Sequence, residues 1–210
     1  MTTRVPVRLP RAALPTLRKA DPALGAVIDR VGRCRMEVGL GQDSLEALVR
    51  AIVYQQLSGK AAATIFRRFV ALYGEGPFPP AEAILRTHHA RMRKAGLSRQ
   101  KQAAVRDLCR HVADGRLPLH DVSQLEDEAL IERLTAVRGI GRWSAQMFLM
   151  FHLGRLDVWA PDDLGIKKAI ARVRGWSELP DRKRMLAEGE RYRPFRTVAS
   201  WYLWRSLENP

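Results

Sequence analysis

Pro161-Asp162-Asp163 places two carboxylates side by side, directly before an apolar-periodic run made of Ile166, Ile170 and Val173. A carboxylate in that position has two uses. Aspartate is a favoured helix N-cap, accepting backbone N–H groups at the helix start. Fixed where water is scarce, it also stabilises positive charge that develops on a substrate, or orients and deprotonates an attacking water. Asp163 is the candidate for the second use. Asp162 is expected to cap the helix or to orient Asp163. Upstream lies Gly139-Ile140-Gly141, between Leu130, Ile131, Leu134 and Val137 on one side and Ala145, Phe148, Leu149 and His152 on the other. Both flanks carry helical spacing. Glycines allow the left-handed or closely approached backbone of a helical hairpin. They also leave the amides of the following helix start open to an anion such as a phosphate. That arrangement clamps a nucleic-acid backbone without reading its bases. The plainer alternative is a hairpin whose glycines serve close packing only, since GxG in isolation is a weak signal.

Other stretches position these two. Residues 22–31 read as a helix with Leu24, Val27, Ile28 and Val31 inward, and 44–55 as another, capped by Ser44 and striped by Leu45, Leu48, Val49, Ile52 and Val53. Gln55-Gln56-Leu57-Ser58 breaks the pattern, and Ser58 caps a helix carrying Ala62, Ile65, Phe66, Phe69 and Leu72. Gln56 and Leu57 therefore sit on a short interhelical turn; the alternative for Leu57 is a place in the core. Further helices are expected over 80–87, from Ser98 to about 115, over 180–191 and over 194–207, the last with an aromatic face. Lys101 is expected on a solvated face, or reaching a phosphate. His88-His89 has no third ligand at a metal-like spacing and reads as a solvated or capping pair. Arg4, Arg8 and Arg11 lie on an irregular or docked N-terminal arm. No strand pair, repeat or low-complexity segment stands out.

Composition narrows the partners. Lys and Arg number 36 against 22 acidic residues, giving +14 and an isoelectric point near 10.8. Arginine dominates the basic set, which a GC-rich coding bias also explains, but the charge attracts a polyanion in either case. Cys34 and Cys109 are the only cysteines. They are too few for an iron–sulfur cluster and in no metal spacing. No secretory leader and no bilayer-length apolar run is visible. An intracellular protein is expected, cytoplasmic and nucleoid-associated in a bacterium, not secreted, and monomeric.

Residues 134–148 resemble the helix-hairpin-helix of the DNA base-excision glycosylase superfamily, with its pattern L-x-x-x-x-G-[IV]-G-x-x-x-A. Asp163, 22 residues after Gly141, stands at the distance of that family's essential aspartate. Arg142-Trp143 and Pro161-Asp162-Asp163 resemble, more narrowly, the alkylpurine (3-methyladenine) DNA glycosylase II branch. The resemblance implies an all-α fold of two helical lobes with a DNA-binding, active-site cleft between them. It implies a middle lobe over 43–153, with the hairpin over about 128–153, and a second lobe from 1–42 plus 154–210. Only 55 residues precede Gln56, so the extra N-terminal α+β domain of many relatives is expected to be absent.

The implied activity is hydrolysis of the N-glycosidic bond of alkylated purines in duplex DNA after base flipping. The implied site has Asp163 as the catalytic carboxylate and Trp143 and Trp204 as base-pocket walls. Met147 stands where the branch has a tyrosine, a departure that bears on pocket size and hydrogen bonding. A core position is the alternative for Trp204, and packing is expected of Trp159. Leu57 is implied as the wedge filling the gap left by the extruded nucleotide, with Gln56 beside it. Gly139, Ile140, Gly141, Arg142 and Ser144 complete the DNA contacts. Relatives that also cut the strand carry a lysine two residues after the second hairpin glycine; Trp143 occupies that position, so no lyase step is expected. No organic cofactor or catalytic metal is implied, though carbonyls around Val137 and Ile140 are a place for a structural sodium or potassium ion. Two other functions stay open: a non-catalytic DNA-binding module, and a glycosylase for hypoxanthine, uracil or oxidised guanine.

Overall fold

A computed structural model of the chain describes residues 4–39 and 43–208. The fold is helical, as expected. In chain order the helices are α1 (Ala13–Ala20), α2 (Pro22–Val31), α3 (Ser44–Tyr54), α4 (Gly59–Val70), α5 (Ala81–Arg86) and α6 (His89–Lys94). They continue as α7 (Arg99–Ala113), α8 (Asp127–Thr135), α9 (Arg142–Phe151), α10 (Leu164–Arg174), α11 (Arg182–Glu190) and α12 (Arg196–Glu208). One strand pair departs from the expectation of none: β1 (Val5–Pro6) runs antiparallel to β2 (Glu37–Val38). Two residues a side carry no readable alternation, and Pro6 has no N–H to extend the ladder. The pair does dock the N-terminal arm, helped by Val7 N–H donating to the Met36 carbonyl.

The chain divides into two compact units, Met1–Leu40 with Leu149–Pro210, and Gly41–Phe148. In the first, α12 packs against both α2 and α10. Val198, Ala199, Trp201, Tyr202 and Leu203 are buried, together with Thr197, Ser200 and Ser206. Burial extends beyond the expected aromatic face: this helix is covered nearly all round, as a core helix must be when it has neighbours on opposite sides. The same unit holds a buried charge network. Asp21 caps α2 through the amides of Ala23 and Leu24, and also receives Arg174 (2.5 and 3.0 Å) and the Tyr192 hydroxyl (2.8 Å). Arg174 reaches Glu188 as well, at 2.7 Å. Burial alone would raise Asp21, but these donors outweigh it and hold the carboxyl below its ordinary range.

In the second unit α7 is the central helix, packed on α3, α5 and α6. It buries Ala104, Val105, Leu108 and Cys109. Burial pushes the Cys109 thiol up to about 12, which suits a packing residue and not a nucleophile. Asp43, not Ser44, caps α3, accepting from Glu46 N–H at 2.8 Å. Ser58 caps α4 and Ser98 caps α7, as the sequence indicates. Helix α6 was not expected; it is one turn and a half long, too short for periodicity to show, and His88 is its N-cap. His89 meets Gln102 at 3.0 Å. No helix among the described residues is long and apolar enough to cross a membrane.

Candidate functional site

Asp163, and not Asp162, is the N-cap of α10: its Oδ1 accepts the Ile166 amide at 2.7 Å. Asp162 is exposed and faces Arg182 at 3.2 Å and Lys167 at 4.0 Å, because the chain enters the helix one residue later than the paired acids suggest. Capping is the ordinary use of such an aspartate, and two features go beyond it. Only 7% of Asp163 is exposed, and its Oδ1 also accepts the indole N–H of Trp204 at 2.9 Å. A cap needs neither. Two donors on one oxygen fix the carboxylate plane, and burial raises the strength of any interaction the group makes.

Trp204 is half-buried, with its ring 5.8 Å from that of Phe151. It is neither an isolated pocket wall nor a plain core aromatic, since its polar edge is committed to Asp163. Its approach depends on Gly165. A Cβ there would lie 2.8 Å from Trp204 Cδ1, 2.9 Å from Nε1 and 3.1 Å from Asp163 Oδ1. Gly165 was not singled out from the sequence, although a glycine in the first turn of a helix, where propensity disfavours it, was the available signal. The helix is held at its far end too, because Arg174 is its last residue and sits in the Asp21–Glu188–Tyr192 network. Trp159 is buried packing, as expected, donating to the Met185 carbonyl.

The hairpin forms as α8, a turn, and α9. Val137 and Ile140 are buried beneath it, with Ile140 only 6% exposed. The two glycines serve different ends. Gly139 has φ +82° and its absent Cβ would meet Ala104 at 3.2 Å, so backbone and packing both require it. Gly141 has neither demand: a Cβ there would meet nothing within 4 Å. The space beside Gly141 is open. The Ile140 amide is spent on the Val137 carbonyl. The Ala145 amide bonds back to Gly141, which places Arg142, Trp143 and Ser144 in the first turn of α9, where helix N–H groups point along the axis. The Arg142 guanidinium meets Glu128 at 2.5 and 2.6 Å. Trp143 is 49% exposed; Ser144 and Met147 are half-buried.

Gln56 and Leu57 lie on the turn between α3 and α4. Gln56 has φ +57°, the one positive value at a non-glycine among the described residues. Such a conformation is costly for a residue with a Cβ and marks a constrained position. Leu57 is 40% exposed rather than in the core. Lys101 is not on a solvated face: its ammonium donates to the carbonyls of Val53 and Gln55 at the end of α3, and burial lowers its pKa from the ordinary lysine value. Gln55 Nε2 in turn donates to the Gly139 carbonyl at 2.8 Å, so the leucine turn is bonded to the hairpin.

The model of the HhH-GPD superfamily of base excision DNA repair proteins matches residues 49–194, and the chain belongs to that superfamily. DNA-3-methyladenine glycosylase 1 of Schizosaccharomyces pombe is 37% identical over 166 residues, covering 79% of this chain and 73% of that protein. A putative DNA-3-methyladenine glycosylase of Bacillus subtilis is 34% identical over 77% of this chain and 58% of its own length. The solved structure of 3-methyladenine DNA glycosylase from S. pombe in complex with abasic DNA superposes with a TM-score of 0.79 at 34% identity, over 93% of this chain and 96% of that one.

Proposed function

We propose that the protein is a DNA base-excision glycosylase. Within that class it removes alkylated purines of the 3-methyladenine and 7-methylguanine type from duplex DNA, leaving an abasic site. The observation that carries this reading is Asp163, buried and held by both a helix start and the Trp204 indole, in a chain that also has the superfamily's hairpin. The relatives' names and the abasic-DNA complex support the same lesion class.

An alkylated purine of this kind is cationic, and its bond to the sugar is already weakened. No proton need be delivered to it. As the bond breaks, its electron pair passes to the base, which becomes neutral, and positive charge builds at C1′ and O4′ of the sugar. A rigid carboxylate stabilises that charge without reorganising. Water then adds to C1′, and Asp163 orients it and takes up its proton. Trp204 positions the carboxylate and offers a ring face to the cationic base, as does Trp143 on α9. Leu57 fills the gap left by the extruded nucleotide, and the amides after Gly141 hold a phosphate. The Val137 carbonyl keeps a second lone pair beyond its bond from Ile140. It and the Ile140 carbonyl have the oxygen chemistry that hard cations take, so they suit a structural alkali ion. With Trp143 where strand-cutting relatives have lysine, the enzyme is monofunctional.

Asp163→Asn tests the assignment. The variant is expected to bind duplex DNA as the parent does and to release no base from methylated DNA; full activity would end the proposal. Borohydride treatment during turnover is expected to trap no covalent protein–DNA adduct, and a trapped adduct would refute the monofunctional reading.

A further inference from the structure

The α7 helix carries Lys101, Ala104 and Asp107 at three-residue intervals, on one side of the helix. Each touches a different part of the grip. Lys101 donates to the Val53 and Gln55 carbonyls, the second at 3.0 Å. These are among the last carbonyls of α3, which lack partners within their own helix. Ala104 faces the missing Cβ of Gly139. Asp107 accepts the Arg138 amide at 2.9 Å. Gln55 closes the loop by donating to the Gly139 carbonyl. The constrained Gln56 follows directly. A lysine placed to end one helix from another, next to a residue in left-handed conformation, is more than the packing of α3 on α7 requires.

We infer that α7 sets the leucine turn and the glycine hairpin in a fixed mutual register, with Lys101 as a positioning residue for nucleotide extrusion and not a phosphate ligand. The inference rests on the proposed reading of Leu57 as the wedge. Extrusion needs an apolar group delivered at a set distance from the gripped phosphate. Lys101 fixes one end of that distance, Asp107 and Gly139 the other, and the Gln55 amide ties the two together. Without the ammonium, the end of α3 loses its donors and the turn is free to relax out of the left-handed conformation at Gln56.

The experiment measures affinity for a duplex with one abasic site and for the intact duplex, over a series of salt concentrations. Lys101→Met is expected to lose about threefold to fivefold in preference for the abasic duplex, bounded by the cost of removing the Leu57 side chain itself. Its salt slope is expected to stay at the parent value, whereas loss of a phosphate ligand would lower the slope by about one. Combined with Leu57→Ala, it is expected to add little, because both act through the same wedge. Gln55→Ala, which removes only the tie to Gly139, is expected to act in the same direction, and carries the test if Lys101→Met does not fold. Parent-like preference in the folded variants, or a reduced slope, would overturn the inference. A parent protein with no preference for the abasic duplex would instead overturn the reading beneath it.

Discussion

The two units hold their candidate residues by different means. In Gly41–Phe148 they sit on turns, and backbone geometry does the work: positive φ at Gly139 and Gln56, a close approach at Ala104, and carbonyls capped by Lys101 and Gln55. Leu57 and Trp143 stand exposed. In the other unit the candidate group is buried, and side chains hold it: Trp204 on the Asp163 oxygen, and Arg174 locked by Asp21 and Glu188 at the opposite end of α10. The contrast suits the two tasks proposed. Gripping a strand and wedging into it need exposed surface and fixed backbone. Stabilising a transient cation needs a dry carboxylate that does not move. Changes at exposed positions of Gly41–Phe148 should therefore alter affinity, and changes around the buried carboxylate of the other unit should alter rate or fold.

Asp21→Asn should give the largest effect and no change in specificity. Removing one partner of a buried charge network costs about 3–5 kcal/mol, to be read by urea unfolding. The pH dependence has a definite sign. Asp21 is held below its ordinary value in the fold, so its contribution is complete above the ordinary carboxyl range and disappears as pH falls through the folded value. The parent should lose stability on acidification in that window, and Asp21→Asn should lose less. Equal acid sensitivity in the two would remove Asp21 from the account.

Trp204→Phe comes next. It keeps a ring against Phe151 and removes the donor to Asp163. Loss of a hydrogen bond to a charged group corresponds to a rate about 10- to 100-fold lower. Single-turnover base release should show that drop while affinity for abasic duplex holds. A fall in affinity with unchanged rate would make Trp204 a wall alone.

The hairpin glycines sharpen the same contrast. Gly139→Ala should destabilise the protein by about 1–2 kcal/mol, the cost of a left-handed residue with a Cβ. Gly141→Ala should change stability by less than about 0.5 kcal/mol and yet weaken duplex binding, since its Cβ would occupy space open to a ligand. Equal stability losses would mean that both glycines serve the fold. Leu57→Ala is the mildest: stability unchanged, and abasic-duplex affinity lowered roughly fivefold, the worth of about one buried methylene or slightly more.

Much of this was legible in the sequence because it is local. The GxG turn, the aspartate opening α10, and the break at Gln56-Leu57 each declare themselves within a few residues. Which acid does the capping was not, since either of two adjacent aspartates satisfies the pattern and only the chain's entry angle decides. Pairings across long separations were also hidden. Arg174 with Asp21, Lys101 with the end of α3, and Gln55 with Gly139 leave no periodic trace. Lys101 in particular reads as one more basic surface residue until α3 is seen packed on α7. The all-round burial of α12 escaped for a related reason: its buried Thr197, Ser200 and Ser206 look like a polar face, and their hydroxyls are satisfied internally by backbone carbonyls.

The decisive experiment incubates the purified protein with duplex DNA methylated at random and separates and identifies the freed bases. Release of 3-methyladenine and 7-methylguanine is expected from the parent and of neither from Asp163→Asn, with unmodified bases left in place. Binding of that DNA with no base released, or release that persists without the Asp163 carboxylate, would contradict the proposed activity.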